Sequence, residues 1–460
     1  MALSKEELEL LQEHRQLLTK NAAADEKNLA YYRGKQKIEQ LGLAIPEPAR
    51  KFLVIANWCR VLVDTKDDRM QVRSLFLPGA ETTDDRMTEI VAASRLATQV
   101  SLNNKDRQIY GRSFFTIGKT REDGPTVIRA DSPRQMTTII DTATELETSA
   151  ARNFKVGTTQ KAVLYLPDQT IYTYQDKGGW VEDYRDHHNL GVVPVVTHLN
   201  RRLAGEWEGE SELTDLIPLV DAVARALTNL QFAQESNGAP HKWIAGTSKE
   251  EMLNLPNGKR GRMRPVLDAY FNAITFLKDP SSKMGQLPAA DLKNFSEVLT
   301  DYGKQAAVLT GLPVHYWGVT AANPSSEGAI IADESQFVRD VESDNMLLGD
   351  TLGRAAQIAW RDHTGEQLDL PVSVEWFDVS TPTVAQREDA LMKRRSNGAL
   401  SREGYWDELG WSEARKRRER EYLEKERAES IEPTLANFGR DIAMRPFSVE
   451  PDKNELGKAA

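Results

Sequence analysis

Hydrophobic positions in the second half of the chain recur at threes and fours. Leu213, Leu216, Ile217, Val220, Val223, Leu227 and Leu230 form an apolar stripe with acidic residues ahead of it and Asn237-Gly238 behind it, the signature of an amphipathic helix with a C-terminal stop. Pro218 complicates this helix. It either kinks the helix or marks the first turn of one starting near Leu216, with about 18 residues spanning roughly 27 Å. A second stripe of similar length carries Leu292, Phe295, Val298, Leu299, Tyr302, Ala306 and Leu309, starting after Pro288 and stopping at Gly311 with Pro313 beyond. Two matched helices around an insert, Ala239 to Leu287, predict a hairpin of rods displaying a small knob. Beyond it, Val319 to Ser326 is small, polar and proline-containing and reads as an exposed loop. A long helix then carries Ile330, Ile331, Phe337, Val338, Val341, Leu347, Leu348 and Leu352.

The first half reads differently. Residues 1 to about 100 are mostly helical in pattern, with Leu8, Leu10, Leu11 and Leu17 near the start and breaks around Gly34, Gly42 and Pro46-Glu47-Pro48. Strand-like alternation takes over from Gln108 to Val196, in runs at 113–117, 126–129, 162–166, 170–174 and 192–196 separated by Gly, Pro and Asp turns. Residues 372–376 add a short strand, and 383 to about 430 return to charged helices. The fold class expected is α+β, mostly helical.

Composition narrows the function. Of 460 residues 40% are hydrophobic, enough to bury real cores. Lys and Arg total 59 against 69 Asp and Glu, a formal charge of −10, which excludes a protein gripping nucleic acid over most of its surface. The single cysteine, Cys59, lies in an apolar run and suits a buried hydrophobe in a reducing compartment. The Glu-rich N-terminus lacks the pattern of a signal peptide, and no run reaches the ~18 apolar residues of a spanning helix, so no membrane association is expected.

Candidate chemistry fails on inspection. Gly118-Lys119-Thr120 resembles the end of a phosphate-binding loop, but Ser113 stands where that loop needs its first glycine and Phe114, Phe115 and Ile117 make the segment a strand. Asp183, Asp186, His187, His188 and His198 offer metal ligands, yet adjacent histidines on an extended chain point to opposite faces. Serine-nucleophile elbows, dinucleotide loops and zinc-protease helices are missing. Trp58, Trp243, Trp317 and Trp376 sit in contexts where core packing is the default. The reading is a protein with no enzymatic activity, no metal and no cofactor.

Several short segments, in order, carry a resemblance: Tyr31-Tyr32-Arg33-Gly34, the run from Asn57 to Asp64, Gly191 to Val196, Gly209-Glu210-Ser211-Glu212-Leu213, Asn237-Gly238-Ala239-Pro240, Leu309 to Pro313, and Ser325 to Ala329. Across Tyr31 to Glu429 the chain resembles the portal proteins of tailed double-stranded DNA phages, particularly siphophages of actinobacteria. The resemblance implies a wing (1–210), a first stem helix (211–238), a clip (239–287), a second stem helix (288–311), a tunnel-loop region (312–326), a long tunnel helix with a returning wing strand (327–382), and crown helices with a tail (383–460). It further implies a homo-oligomeric ring of about twelve subunits at one capsid vertex, set among the major capsid protein. Terminase large subunit and a head–tail connector would dock on it in turn, with double-stranded DNA passing through. Location would be the virion, and host cytoplasm during assembly. The competing reading is a head–tail adaptor or minor capsid protein that conducts no DNA.

Site candidates follow from that reading. Lys293 and Lys304, eleven apart and so on one helix face, are candidate channel contacts, against the plain reading of two solvated lysines. Tunnel-loop candidates are Val319, Thr320, Ala321, Ala322, Asn323, Pro324, Ser325 and Ser326. Lys259, Arg260, Arg262 and Arg264 are candidates to face the terminase from the clip. Arg415, Lys416, Arg417, Arg418 and Arg420 form a basic crown cluster that fits either packaged DNA or a neighbouring subunit. Sparse cations on an acidic ring would let DNA slide, because each neutralised phosphate adds affinity.

Overall fold

A computed structural model describes residues 3–37, 54–80, 82–119, 124–238, 242–245, 274–277, 293–319, 327–380, 384–411 and 414–427. The chain divides into two compact units, Met1–Ser380 and Thr381–Ala460.

In the first unit, α1 (Lys5–Tyr32) opens on a capping box: Ser4 accepts from the Glu7 backbone while the Glu7 carboxylate accepts from the Ser4 backbone. Helices α2 (Trp58–Arg69), α3 (Asp85–Ser94) and α4 (Leu96–Tyr110) follow, with strand β1 (Val72–Phe76) between the first two. The strand-patterned region resolves into β2 (Arg112–Lys119), β3 (Thr126–Asp131), β4 (Met136–Ile140), β5 (Glu147–Val156), β6 (Thr159–Tyr165), β7 (Thr170–Asp176), β8 (Gly179–Asp186) and β9 (Val195–Leu199). Strands β4 to β8 make an antiparallel meander in sequence order, and β2 lies between β3 and β9 in a second antiparallel sheet.

Alternation explains the layering. Ala150 and Ala151 are neighbours on β5, yet Ala150 joins Phe114, Met136, Val163 and Val195 in one core while Ala151 joins Leu3, Leu11, Ala162 and Leu164 in another. Period-two side-chain direction puts them on opposite faces of the meander. The start of α1 covers one face; the β2 sheet packs on the other.

Helix α5 (Ile217–Gly238) begins one residue before Pro218, so the proline sits in the first turn, where a missing N–H costs no helical bond. Residues 212–216 wind into it as turns. Helix α6 (Lys293–Thr310) packs against α5. Between them β10 (Lys242–Ala245) pairs in parallel with β11 (Ile274–Leu277). The 38-residue α7 (Glu327–Thr364) spans about 57 Å and crosses the β2, β3 and β9 strands. Phe337, Val341, Leu348, Leu352, Ala355, Ala359 and Trp360 line its buried face. Met346 and Leu347 face outward, 73% and 51% exposed, although Leu347 continues the apolar pattern. Strand β12 (Ser373–Trp376) returns to pair with β1.

The second unit contains α8 (Val384–Ser396), α9 (Arg402–Glu408) and a helix at 414–427.

Candidate functional site

The connection from α6 to α7 is built by packing. Gly311 ends α6 with φ +70°, and its left-handed backbone leaves room for Asp340, whose carboxylate a Cβ would meet at 2.5 Å. A short 3-10 turn, Val314–Trp317, then drives Trp317 into the core, edge-on to Trp58 at 5.3 Å. Val319 lies against Gly303 of α6, close enough that a Cβ there would come within 2.6 Å of it. Arg69, at the end of α2, staples this junction: it donates to the Val379 carbonyl at 2.8 Å and the Tyr316 hydroxyl at 3.4 Å, pairs with Glu334 at 3.7 Å, and lies over the Phe337 ring. Of the tunnel-loop candidates, Val319 is thus anchored, and 320–326 lie outside the described residues.

Below the junction lies a buried ionic cluster that joins four elements. Lys66 of α2 donates to Glu212, just before α5, at 2.8 Å, and reaches Asp344 of α7 at 3.5 Å. Arg107 of α4, 1% exposed, donates to Asp344 at 3.2 Å and to Asn200 at 2.7 Å. Arg201 also holds Glu212, at 3.2 Å. Burial raises the Glu212 carboxyl, but Lys66 and Arg201 beside it prevail and hold it below its ordinary range. Asp344 behaves likewise, burial opposed by Arg107 and Lys66. Asp67 next door accepts from Ser101 and Asn104, yet burial keeps its carboxyl raised.

Glu212 reaches this place because two glycines cross. Gly111 ends α4 with φ +80°, and a Cβ on it would meet the Gly209 carbonyl oxygen at 2.6 Å; a Cβ on Gly209 would collide with the Gly111 carbonyl. The backbone ladder Asn200 N to Gly111 O and Glu212 N to Gln108 O locks the crossing.

The basic candidates separate. Lys293 and Lys304 are both exposed on α6, and Lys304 shares Asp301 at 3.0 Å. Lys259, Arg260, Arg262 and Arg264 lie outside the described residues. In the second unit Lys416 is buried on Asp407, Arg420 grips Glu403 through two bonds at 2.9 and 2.7 Å, and Arg415 covers the Trp411 ring. Arg417 and Arg418 of the same run face solvent. Of the five cations only Lys416 is buried; Arg415, Arg417, Arg418 and Arg420 are all exposed, with Arg415 and Arg420 engaged on Trp411 and Glu403.

The segments resembling other chemistry are absorbed by the fold. Gly118 and Lys119 are strand residues of β2, paired with Val127 and Thr126. His198 is buried on β9 against Asn103 while Asp183 of β8 pairs with Lys161; among the described residues no three metal-ligating side chains converge. Burial raises the Cys59 thiol to about 12. No helix among the described residues is long and apolar enough to cross a membrane.

Pattern reading missed Lys66, Arg107, Glu212 and Asp344. One signal was present: Asp344 interrupts the apolar stripe of α7, where Val341 and Leu348 continue it on either side.

Comparison with known proteins adds to this geometry. Residues 18–433 match the family model described as phage portal protein, SPP1 Gp6-like. The portal protein of Mycobacterium phage L5 is 31% identical over 445 residues, covering 93% of this chain and 90% of that protein. That of Mycobacterium phage D29 is 31% identical over 417 residues, covering 87% and 85%. Among solved structures, a chain from the neck of a native GTA particle computed with C12 symmetry aligns at TM-score 0.43 and 12% identity, over 77% of this chain and 89% of that one. A chain from the neck of an empty GTA particle aligns at TM-score 0.41 and 15% identity, over 80% and 94%. With the family match running through all but the two ends, and with relatives alike over nearly their whole length, the chain belongs to the phage portal protein family.

Proposed function

We propose that this protein is the subunit of a closed ring at one vertex of a phage head, through which double-stranded DNA is packaged and later released. The observation that carries the reading is the family match across residues 18–433. In this reading α5 and α6 are the stem, the insert 239–287 the clip, 312–326 the tunnel-loop region, α7 the tunnel helix, and 383–460 the crown, with the remainder forming the wing. About twelve copies close the ring. The wing meets the major capsid protein, and the clip receives the terminase large subunit and then the head–tail connector. The assembled protein resides in the virion, after ring formation in host cytoplasm.

Two features support assembly over a solitary life. Val308 on α6 is 85% exposed and Met346 on α7 73% exposed, apolar surface on the two helices that a ring would bring against neighbours. A formal charge of −10 suits a conduit that must not hold phosphate. Lys293 and Lys304 serve as weak channel contacts, since Lys304 already shares Asp301. Negative-stain images of the purified protein test the proposal. Closed rings with an open centre wide enough for duplex DNA are expected; monomers or dimers at high concentration, or rings with a sealed centre, would overturn it.

A further inference from the structure

Tyr31-Tyr32-Arg33-Gly34, one of the segments that carries the family resemblance, ends α1 in a tight turn. Gly34 takes φ +65°, and Lys35 donates its backbone N–H to the Ala30 carbonyl at 2.8 Å. The turn folds Gln36 back into the protein, where it is 4% exposed. Among the described residues neither its amide nitrogen nor its amide oxygen has a hydrogen-bond partner. Leaving such a group unpaired is costly, and native side chains in this condition call for a ligand or another explanation.

Gln36 lines a cavity of about 860 Å³ between the end of α1 and α5. Lys27, Lys35, Lys37 and Arg225 line it as well. None of these four cations forms an ion pair or side-chain hydrogen bond among the described residues. The two carboxylates at the cavity are occupied: Glu26 accepts from Arg134 at 3.1 Å, and Asp221 accepts from the Tyr31 hydroxyl at 2.9 Å. In a chain with ten excess negative charges, four uncommitted cations around one unsatisfied buried amide form a built site.

The chemistry of Gln36 selects among anions. Its nitrogen donates and its oxygen accepts, so full pairing needs a ligand that offers both an acceptor and a donor. A phosphodiester offers acceptors only. A peptide group offers both, and Asp or Glu side chains flanking it would answer the cations. We propose that this cavity binds an acidic polypeptide segment of a partner protein, with one peptide group paired to Gln36 and its carboxylates held by Lys27, Lys35, Lys37 and Arg225. The inference stands apart from ring formation and from DNA conduction.

Fluorescence anisotropy with a labelled hexaglutamate peptide, titrated with the full-length protein at low salt, tests this. Arg225→Gln is expected to weaken binding about tenfold, and Gln36→Leu about fivefold. Gln36→Leu should also leave the melting temperature of the unliganded protein equal or higher, because it removes an unpaired buried amide. Inorganic pyrophosphate and a short DNA duplex are titrated in parallel. Absence of peptide binding, or wild-type affinity in both variants, would overturn the proposal. So would an equal loss of pyrophosphate or duplex affinity in the variants, since phosphate would then be the ligand.

Discussion

His14 lies on α1 with both ring nitrogens spoken for: Nδ1 is 2.8 Å from the Thr137 hydroxyl and Nε2 3.0 Å from that of Ser149. Burial lowers its pKa from 6.5 to about 4. His198 is driven down in the same way by burial, with Arg107 nearby adding to it. The folded state therefore takes up these protons later than the unfolded chain as pH falls. Stability should be full above pH 6.5 and decline progressively toward pH 4, each imidazole contributing up to about 1.4 kcal/mol per pH unit. His14→Gln is expected to remove one proton from that slope, read from urea midpoints between pH 6.5 and 4; an unchanged slope would sink the assignment. None of this was legible from the residue itself. His14 sits in a Glu-rich helical segment, and its burial depends on β4 and β5, more than a hundred residues downstream.

At the scale of elements, the amphipathic stripes were readable because helical periodicity is local: α5, α6 and α7 need only their own side chains to declare an apolar face. The partners across those faces were not readable. Lys66 meets Asp344 across 278 positions and Arg107 meets it across 237. A buried ion pair gains little over an apolar pair but is costly to break, so its role here is to hold α2, α4, α7 and the entry to α5 in one register. Lys66→Met should leave Glu212 to Arg201 and Asn200, and Asp344 to Arg107, and lower stability by about 1.5–3 kcal/mol, the usual worth of a hydrogen bond to a charged group, seen as a drop in the urea midpoint. High salt should leave that loss nearly unchanged because the pair is shielded from solvent; a loss under 1 kcal/mol would show that Arg201 and Arg107 suffice to hold the two carboxylates. The glycine crossing was similarly hidden. Gly209-Glu210-Ser211-Glu212 reads as a polar turn until Gly111 is placed against it.

For the whole molecule, the division after Ser380 predicts separable folding. A fragment ending at Ser380 contains every member of the hydrophobic cores found among the described residues and is expected to melt cooperatively within a few degrees of the full chain, followed by circular dichroism; a broad, non-cooperative transition would refute it. The helical opening, the strand-rich middle, the paired rods and the strand nature of Gly118-Lys119 were within reach of the sequence, each resting on spacing or backbone restriction within a few residues. Strands β1, β4, β5 and β8 lay outside the runs the sequence marked, and Pro218 stood open between a kink and a helix start until the structure put it in the first turn. Tertiary structure alone decided which polar residues were buried. It turned Leu347 outward, placed Asp344 inward beside two cations, buried Lys416 alone of the 415–420 cations, and left Gln36 without a partner among the described residues beside Lys27, Lys35, Lys37 and Arg225. Hydrophobic pattern specifies a face, whereas the partner of a buried charge is set by where distant segments meet.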